Sequence, residues 1–210
     1  GKGEFLSVDS ILQQYKDWRD VSEWPVSGRT LQRKDRLLKK QEDPCSKKGI
    51  VGAFCRTYTV EEAMEKFLPG VYIPCAMKDR YTYAAGSTAA GAVIYDDGKF
   101  IYSNHATDPV GGMLCNAFDL VRLHKFRELD EEAAEGTPTV KLPSYLKMQD
   151  MAVHDDNVRM MMHKERADSV KKDFEGVPKA EDEADDSWVL GMNLDGKGNY
   201  RATIHNAKMI

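Results

Sequence analysis

Two short apolar runs, Ala92–Tyr95 and Phe100–Ser103, flank the turn Asp96-Asp97-Gly98-Lys99. Aspartate and glycine accept the positive φ angles of a tight turn, and β-branched and aromatic residues on both sides suit strands, so the pattern predicts an antiparallel hairpin. A hairpin constrains its neighbours, because other elements must cover its apolar face. Tyr81–Tyr83 is a further β-prone run, joined to the hairpin by the small-residue loop Gly86-Ser87-Thr88-Ala89-Ala90-Gly91. After the hairpin comes a polar loop, N-H-A-T-D-P-V-G-G-M-L-C-N-A-F-D over residues 104–119, which leads into an amphipathic stretch, Asn116–Phe126. Asn116 is a suitable N-cap for that helix.

Helical signals surround this unit. Thr59-Val60-Glu61-Glu62 is a capping box, followed at helical spacing by Val60, Ala63, Met64, Phe67 and Leu68 and stopped by Pro69-Gly70. Gly49–Tyr58 is a compact apolar run. Val8–Trp18 carries Val8, Ile11, Leu12 and Tyr15 at helical spacing, and Arg29–Lys40 can form a short basic helix with Leu31, Leu37 and Leu38. Ser144–Met151 and Asp155–Phe174 read as two further helices, the second with Val158, Met161, Met162 and Val170 on its apolar side. Near the C-terminus a turn, Asp195–Asn199, precedes the start of another helix. The expected fold class is α+β: a small antiparallel hairpin or ribbon-like unit packed with helices, plus a helical C-terminal part. The expected organisation is a basic helical lead-in (1–48), the ribbon-like module (49–127), a helical segment (128–175), an acidic linker (176–187) and a final segment (188–210).

Composition narrows the class. The 210 residues are 41% hydrophobic, enough for a core. No apolar run approaches the ~20 residues of a membrane span, and the start carries no basic-then-apolar leader. Cys45, Cys55, Cys75 and Cys115 form no C-x-x-C pair and read as reduced thiols. A cytoplasmic protein without membrane contact is expected. The net charge of −4 is unevenly laid out: residues 29–48 are basic and residues 181–186 acidic.

Several constellations admit a chemical and a structural reading. His105, Asp108 and Cys115 could ligate zinc, with Cys75 or His124 completing the set, or could form a metal-free polar turn. Cys115 could be a nucleophile with His105 or His124 as base, or a small buried side chain. The loop Gly86–Gly91 could cradle a phosphate, but it lacks the Lys-Ser/Thr ending of a P-loop and also reads as a tight turn. The basic stretch could neutralise nucleic-acid phosphates or form a solvated helix face. Tyr81, Tyr83, Phe100 and Tyr102 could stack bases or pack the hairpin on a helix. Met160, Met161 and Met162 could form an adaptable contact surface or fill the core.

Three long words in order, GIVGAFCRTYTVEEAMEKFLPGVYIPC, DRYTYAAGSTAAGAVIYDDGKFIYSNHATDP and CNAFDLVRLHKF, resemble the middle region of phage and prophage primase-helicases, the virulence-associated E family. The likeness is dense over residues 49–126 and weaker over 142–151 and 188–210, the last of which resembles the start of the family's following helicase region. In that family an archaeo-eukaryotic-type primase domain lies upstream and a P-loop helicase domain downstream. Neither the acidic pair of the first nor the G-x-x-x-x-G-K-[ST] loop of the second occurs here, so the resemblance implies a connector or accessory domain. The absent initiator Met and the helical pattern cut at Ile210 suggest a piece of a longer protein. The element order is also similar to the zinc ribbon of bacterial-type primases, with His105 at a ligand position and most ligands missing, which implies a degenerate ribbon. The family commonly has His-His where this chain has Asn104-His105.

In the metal-free reading, Asp108 accepts from backbone amides of its turn and His105 donates to it or to a neighbour. Asn116 caps the following helix, and Asp119 suits the helix dipole. The expected function is a non-catalytic accessory domain that contributes to nucleic-acid binding in DNA replication. Arg29, Arg33, Lys34, Arg36, Lys39 and Lys40 are the expected phosphate contacts of the basic stretch. Arg80, Tyr81, Tyr83, Ser87, Thr88, His105, Arg122 and Lys125 are those near the ribbon. No cofactor, metal or catalytic residue is assigned. The expected partners are single-stranded or primed DNA, the primase and helicase domains of the same chain, and further copies of the chain. The alternative is a structural spacer or oligomerisation module whose contact face is the Met-rich helix. A stand-alone Cys or zinc hydrolase is a third reading.

Overall fold

The hairpin lies inside a five-stranded antiparallel sheet whose strands follow one another in space as they do in sequence. The computed structural model describes residues 7–25, 28, 36, 41–173 and 186–209. The strands are β1 (Tyr72–Pro74), β2 (Arg80–Tyr83), β3 (Ala92–Tyr95), β4 (Phe100–Ser103) and β5 (Leu114–Cys115). The helices are α1 (Val8–Leu12), α2 (Gly49–Thr57), α3 (Val60–Phe67), α4 (Ala117–Phe126), α5 (Pro143–Val153), α6 (Asp156–Asp173) and α7 (Ile204–Ala207). The class is α+β. The sheet exceeds the ribbon-like unit expected from the sequence, because β1 and β5 extend it by one strand on each side.

Local chemistry explains the elements that were legible. Asp96, Asp97 and Gly98 all take positive φ, which short polar residues and glycine tolerate. The capping box is complete: Glu62 N donates to Thr59 Oγ1 at 3.2 Å, and Thr59 N donates to Glu62 Oε2 at 2.8 Å. Val60 N also donates to Gly98 O at 2.8 Å, so the start of α3 is fastened to the hairpin turn. The run Gly49–Tyr58 resolves as α2, with Phe54 fully buried.

Register decides which residues share a sheet face. Tyr81 opposes Ala92, Ala92 opposes Ser103, and Ile101 opposes Cys115. Opposed residues in an antiparallel ladder point the same way. This face, with Tyr72, Ala92, Ile94, Ile101 and Cys115, belongs to the core that contains Phe54, Val60, Phe118 and Leu120. The same cluster includes Met148, Val158 and Met162, so the boundary expected near residue 127 crosses one continuous core. Arg122 reinforces that continuity: its Nε donates to Asp119 Oδ1 and its Nη1 to Ser144 Oγ, both at 2.9 Å, and Ser144 in turn bonds Asp130. On α6, Val158 and Met162 are buried as expected, but Val170 is exposed.

Arg29, Arg33, Lys34, Lys39 and Lys40 lie outside the described residues, as do Leu31, Leu37, Leu38 and most of the acidic linker. Arg36 is described and exposed. Among the described residues no helix is long and apolar enough to cross a membrane.

Phe118 is fully buried, with its ring 5.8 Å from that of Phe54 and 5.5 Å from that of Tyr145. Phe118→Ala should lower unfolding stability by about 3–5 kcal/mol, read from urea denaturation. A change within experimental error would show that this ring is not at the centre of the core.

Candidate functional site

The loop after β4 turns back under the sheet and buries its charged groups. Asp108 Oδ1 accepts from Val110 N at 3.0 Å, and Oδ2 accepts from Tyr72 Oη at 2.9 Å. His124 Nε2 lies 3.2 Å from Asp108 Oδ1 and 2.8 Å from Tyr72 Oη. The Tyr72 proton goes to Asp108, so His124 Nε2 is the donor in both of its contacts. Burial acts to raise the Asp108 pKa, but hydrogen bonds from His124, Ser103, Val110 and Tyr72 together outweigh it and hold the carboxyl below its usual 3.8. Burial also pushes the Tyr72 phenol up, with the Asp108 charge adding to the effect.

His105 is fixed separately. Tyr83 N donates to its Nε2 at 3.3 Å, which leaves Nδ1 to carry the proton toward Thr88 Oγ1 at 3.0 Å. Burial lowers its pKa below 6.5, and the Asp108 charge only partly opposes this. The Gly86–Gly91 loop closes around the ring: a Cβ at Gly91 would sit 2.7 Å from His105 Nε2, and one at Gly86 would sit 3.0 Å from Nδ1. The small residues of GSTAAG thus make room for an imidazole. Asn104 adds a latch, with its Nδ2 donating to Gly91 O at 2.8 Å. His105 therefore bonds to Thr88 and Tyr83, while Asp108 bonds to Tyr72, His124, Ser103 and Val110. Asn116 Oδ1 accepts Asp119 N at 2.9 Å, which caps α4.

This arrangement is a buried polar tie. Among the described residues no group of three His, Cys, Asp or Glu side chains could hold a metal ion. Cys115 is buried, and burial pushes its thiol up to about 12, the opposite of what a nucleophile needs.

The loop also carries the N-terminal segment. Ala89 N donates to Arg19 O at 2.8 Å, and Val21 N donates to Ala89 O at 3.1 Å. This pairing presents two exposed indoles, Trp18 at 51% and Trp24 at 43% exposure. Trp24 Nε1 donates to Trp18 O at 2.9 Å, and the Arg19 guanidinium lies 5.1 Å from the Trp18 ring centre. The nearby acids are used locally: Asp17 accepts Arg19 N, Asp20 accepts Ser22 N and Glu23 accepts Lys16 N. Arg80 Nη1 donates to Ala90 O at 3.0 Å on the same loop, and Ser87 is exposed.

The other expected contacts separate. Arg122 is buried in its α4–α5 network, so it cannot meet a phosphate. His105 is buried, and Thr88 is committed to it. The four aromatic residues that could either stack bases or pack the hairpin do not share a face: Tyr81 and Tyr83 lie on the core side, whereas Phe100 and Tyr102 lie on the other side and are buried. Tyr83 packs with Tyr72, His105 and His124. Lys125 is exposed on the last turn of α4. The tryptophans were missed in the sequence, although W-R-D-V-S-E-W places two of the three tryptophans around one arginine. Comparison with protein-family models, curated proteins and solved structures gives no match.

The two titrating groups act with the same sign. His105, with its folded pKa below 6.5, contributes stability that is complete above pH 6.5 and lost as pH falls below it. Asp108, with its folded pKa below 3.8, contributes stability present above 3.8 and lost as pH falls through the folded value. The urea midpoint should therefore fall between pH 7 and pH 5 through His105, ahead of the Asp108 loss at lower pH. His105→Gln should flatten that first window, and an unchanged slope in the variant would contradict the assignment.

Proposed function

We propose that the chain is a non-catalytic accessory domain of a phage DNA primase-helicase and that it binds single-stranded nucleic acid on the Trp18–Trp24 surface. One observation carries this reading: two exposed indoles and an arginine are held by backbone bonds on the loop that wraps His105. Exposed aromatic rings stack bases without regard to sequence, and flanking cations neutralise phosphates. Lys16, Arg19, Arg80 and Arg36 are the described cations of this surface and its sequence neighbourhood, and Lys125 is a separate exposed one. The basic residues of 29–40 follow Trp24 directly in the chain. The likeness of residues 49–126 to the connector of virulence-associated E proteins supports the setting: DNA replication in a bacterial host cell, with primase and helicase domains of the same chain as neighbours. No chemical step is assigned to this domain.

A second reading, self-association through α6, has one observation in its favour. Met160 and Met161 line a depression of about 490 Å³ with His163 and Asp168, and methionine surfaces adapt to partners. Concentration-dependent sedimentation without DNA binding would favour it.

Fluorescence anisotropy with a labelled single-stranded oligonucleotide should show binding that weakens as salt rises. Trp24→Ala should weaken it about 5- to 150-fold, the equivalent of about 1–3 kcal/mol for one stacked base. Binding that is insensitive to salt and to both Trp18→Ala and Trp24→Ala would refute the proposal.

A further inference from the structure

The segment after the acidic stretch folds back on α5 and α6 and borders an open cavity of about 620 Å³. Asn206, which is buried, ties together two of the stretches that line it. Asn193 N donates to Asn206 Oδ1 at 2.7 Å, and Asn206 Nδ2 donates to the carbonyls of Asn193 and Arg201, both at 2.8 Å. These bonds reinforce the direct one from Arg201 N to Asn193 O at 3.0 Å. A short antiparallel bridge, Leu194 with Tyr200, and the Asp195 turn complete the frame.

Arginine chemistry dominates the wall. Arg159 Nη2 donates to Met192 O at 2.7 Å and to Val189 O at 3.1 Å, which holds its guanidinium at the edge of the cavity. Its Nε is buried and has no hydrogen-bond partner. Arg201 lines the same cavity and is exposed. Among the described residues neither guanidinium has a carboxylate partner. The two acids at the rim are already engaged: Asp150 faces Lys147 and His154, and Asp195 accepts from Lys197 N and Asn199 N. Val153, Leu190, Met192 and Leu194 add apolar side chains to a lining that is mainly polar.

We propose that this cavity binds a small phosphate-bearing ligand of nucleotide size, with Arg159 and Arg201 holding the phosphate. The volume falls within the roughly 300–1,000 Å³ of small-molecule sites. Guanidinium groups suit phosphate because their planar forks donate in pairs to its oxygens. Of the Arg159 donors, Nη2 is committed to the two carbonyls and Nε is buried away from the cavity, which leaves Nη1 to meet a phosphate oxygen. The site lies on different elements from the tryptophan surface, so the two can be tested apart.

Isothermal titration of the whole chain with AMP, ATP, inorganic phosphate and a 5′-phosphorylated oligonucleotide tests it. AMP or ATP should bind at one site per chain, and inorganic phosphate should compete. Arg201→Ala should weaken binding by about tenfold or more, while Lys141→Ala should not change it. Because Arg159 also holds the Val189 and Met192 carbonyls, Arg159→Ala is read only beside a thermal melt, and Arg201→Ala carries the decision. Binding of free nucleotide without the oligonucleotide identifies a diffusible ligand. Competition between the oligonucleotide and AMP identifies a strand end, and either result supports the phosphate site. Trp24→Ala should leave AMP binding intact even where it abolishes binding of unphosphorylated DNA. No binding of any of these compounds at millimolar concentration, or AMP binding indifferent to Arg201→Ala, would overturn the proposal.

Discussion

Asp108 accepts hydrogen bonds from four parts of the chain: Tyr72 on β1, Ser103 on β4, Val110 in its own loop and His124 on α4. Its side chain is wholly buried. A carboxylate in that position is tolerable only when donors replace the water it has lost, so the four groups are held in place by the charge they share. The loop must return beneath the sheet to bring Asp108 to Tyr72, and this return determines where His105 enters the Gly86–Gly91 loop. The constellation that resembled a zinc site by composition is thus an organising point for the sheet and its covering helix.

A mechanical path leads from that point to the surface. His105 holds Thr88 and the amide of Tyr83, and the loop closes on the ring with no room for a Cβ at Gly91. The next residue along, Ala89, pairs with Arg19 and Val21. The exposed indoles therefore stand on a chain of buried polar contacts rather than on an apolar core. On the proposed nucleic-acid reading, backbone held in this way would reduce the ordering cost of binding.

Much of this was legible where the signal is local. The Asp-Asp-Gly turn, the Thr59–Glu62 box and the Asn116 cap each depend on a few adjacent residues, and the sequence placed them within a residue or so. β1 and β5 were not legible, because three- and two-residue strands exist only through their partners. Arg122 looked like an exposed cation because its acceptors, Ser144 and Asp130, arrive from a later part of the chain. The alternation of Tyr81, Tyr83, Phe100 and Tyr102 suggested one platform. Register sets the two pairs on opposite faces, and a single strand's sequence carries no information about register. The role of GSTAAG was hidden for the same reason: its glycines answer to a histidine more than a dozen residues away.

Hydrogen–deuterium exchange of the whole chain, with and without saturating single-stranded DNA, tests the central claim most directly. The account predicts new protection in residues 15–24 and around Ser87–Ala89, with the amides of the buried loop around His105 and Asp108 already protected in the free protein. Protection confined to α6, or exchange-labile amides in the His105–Asp108 loop of the free protein, would contradict it.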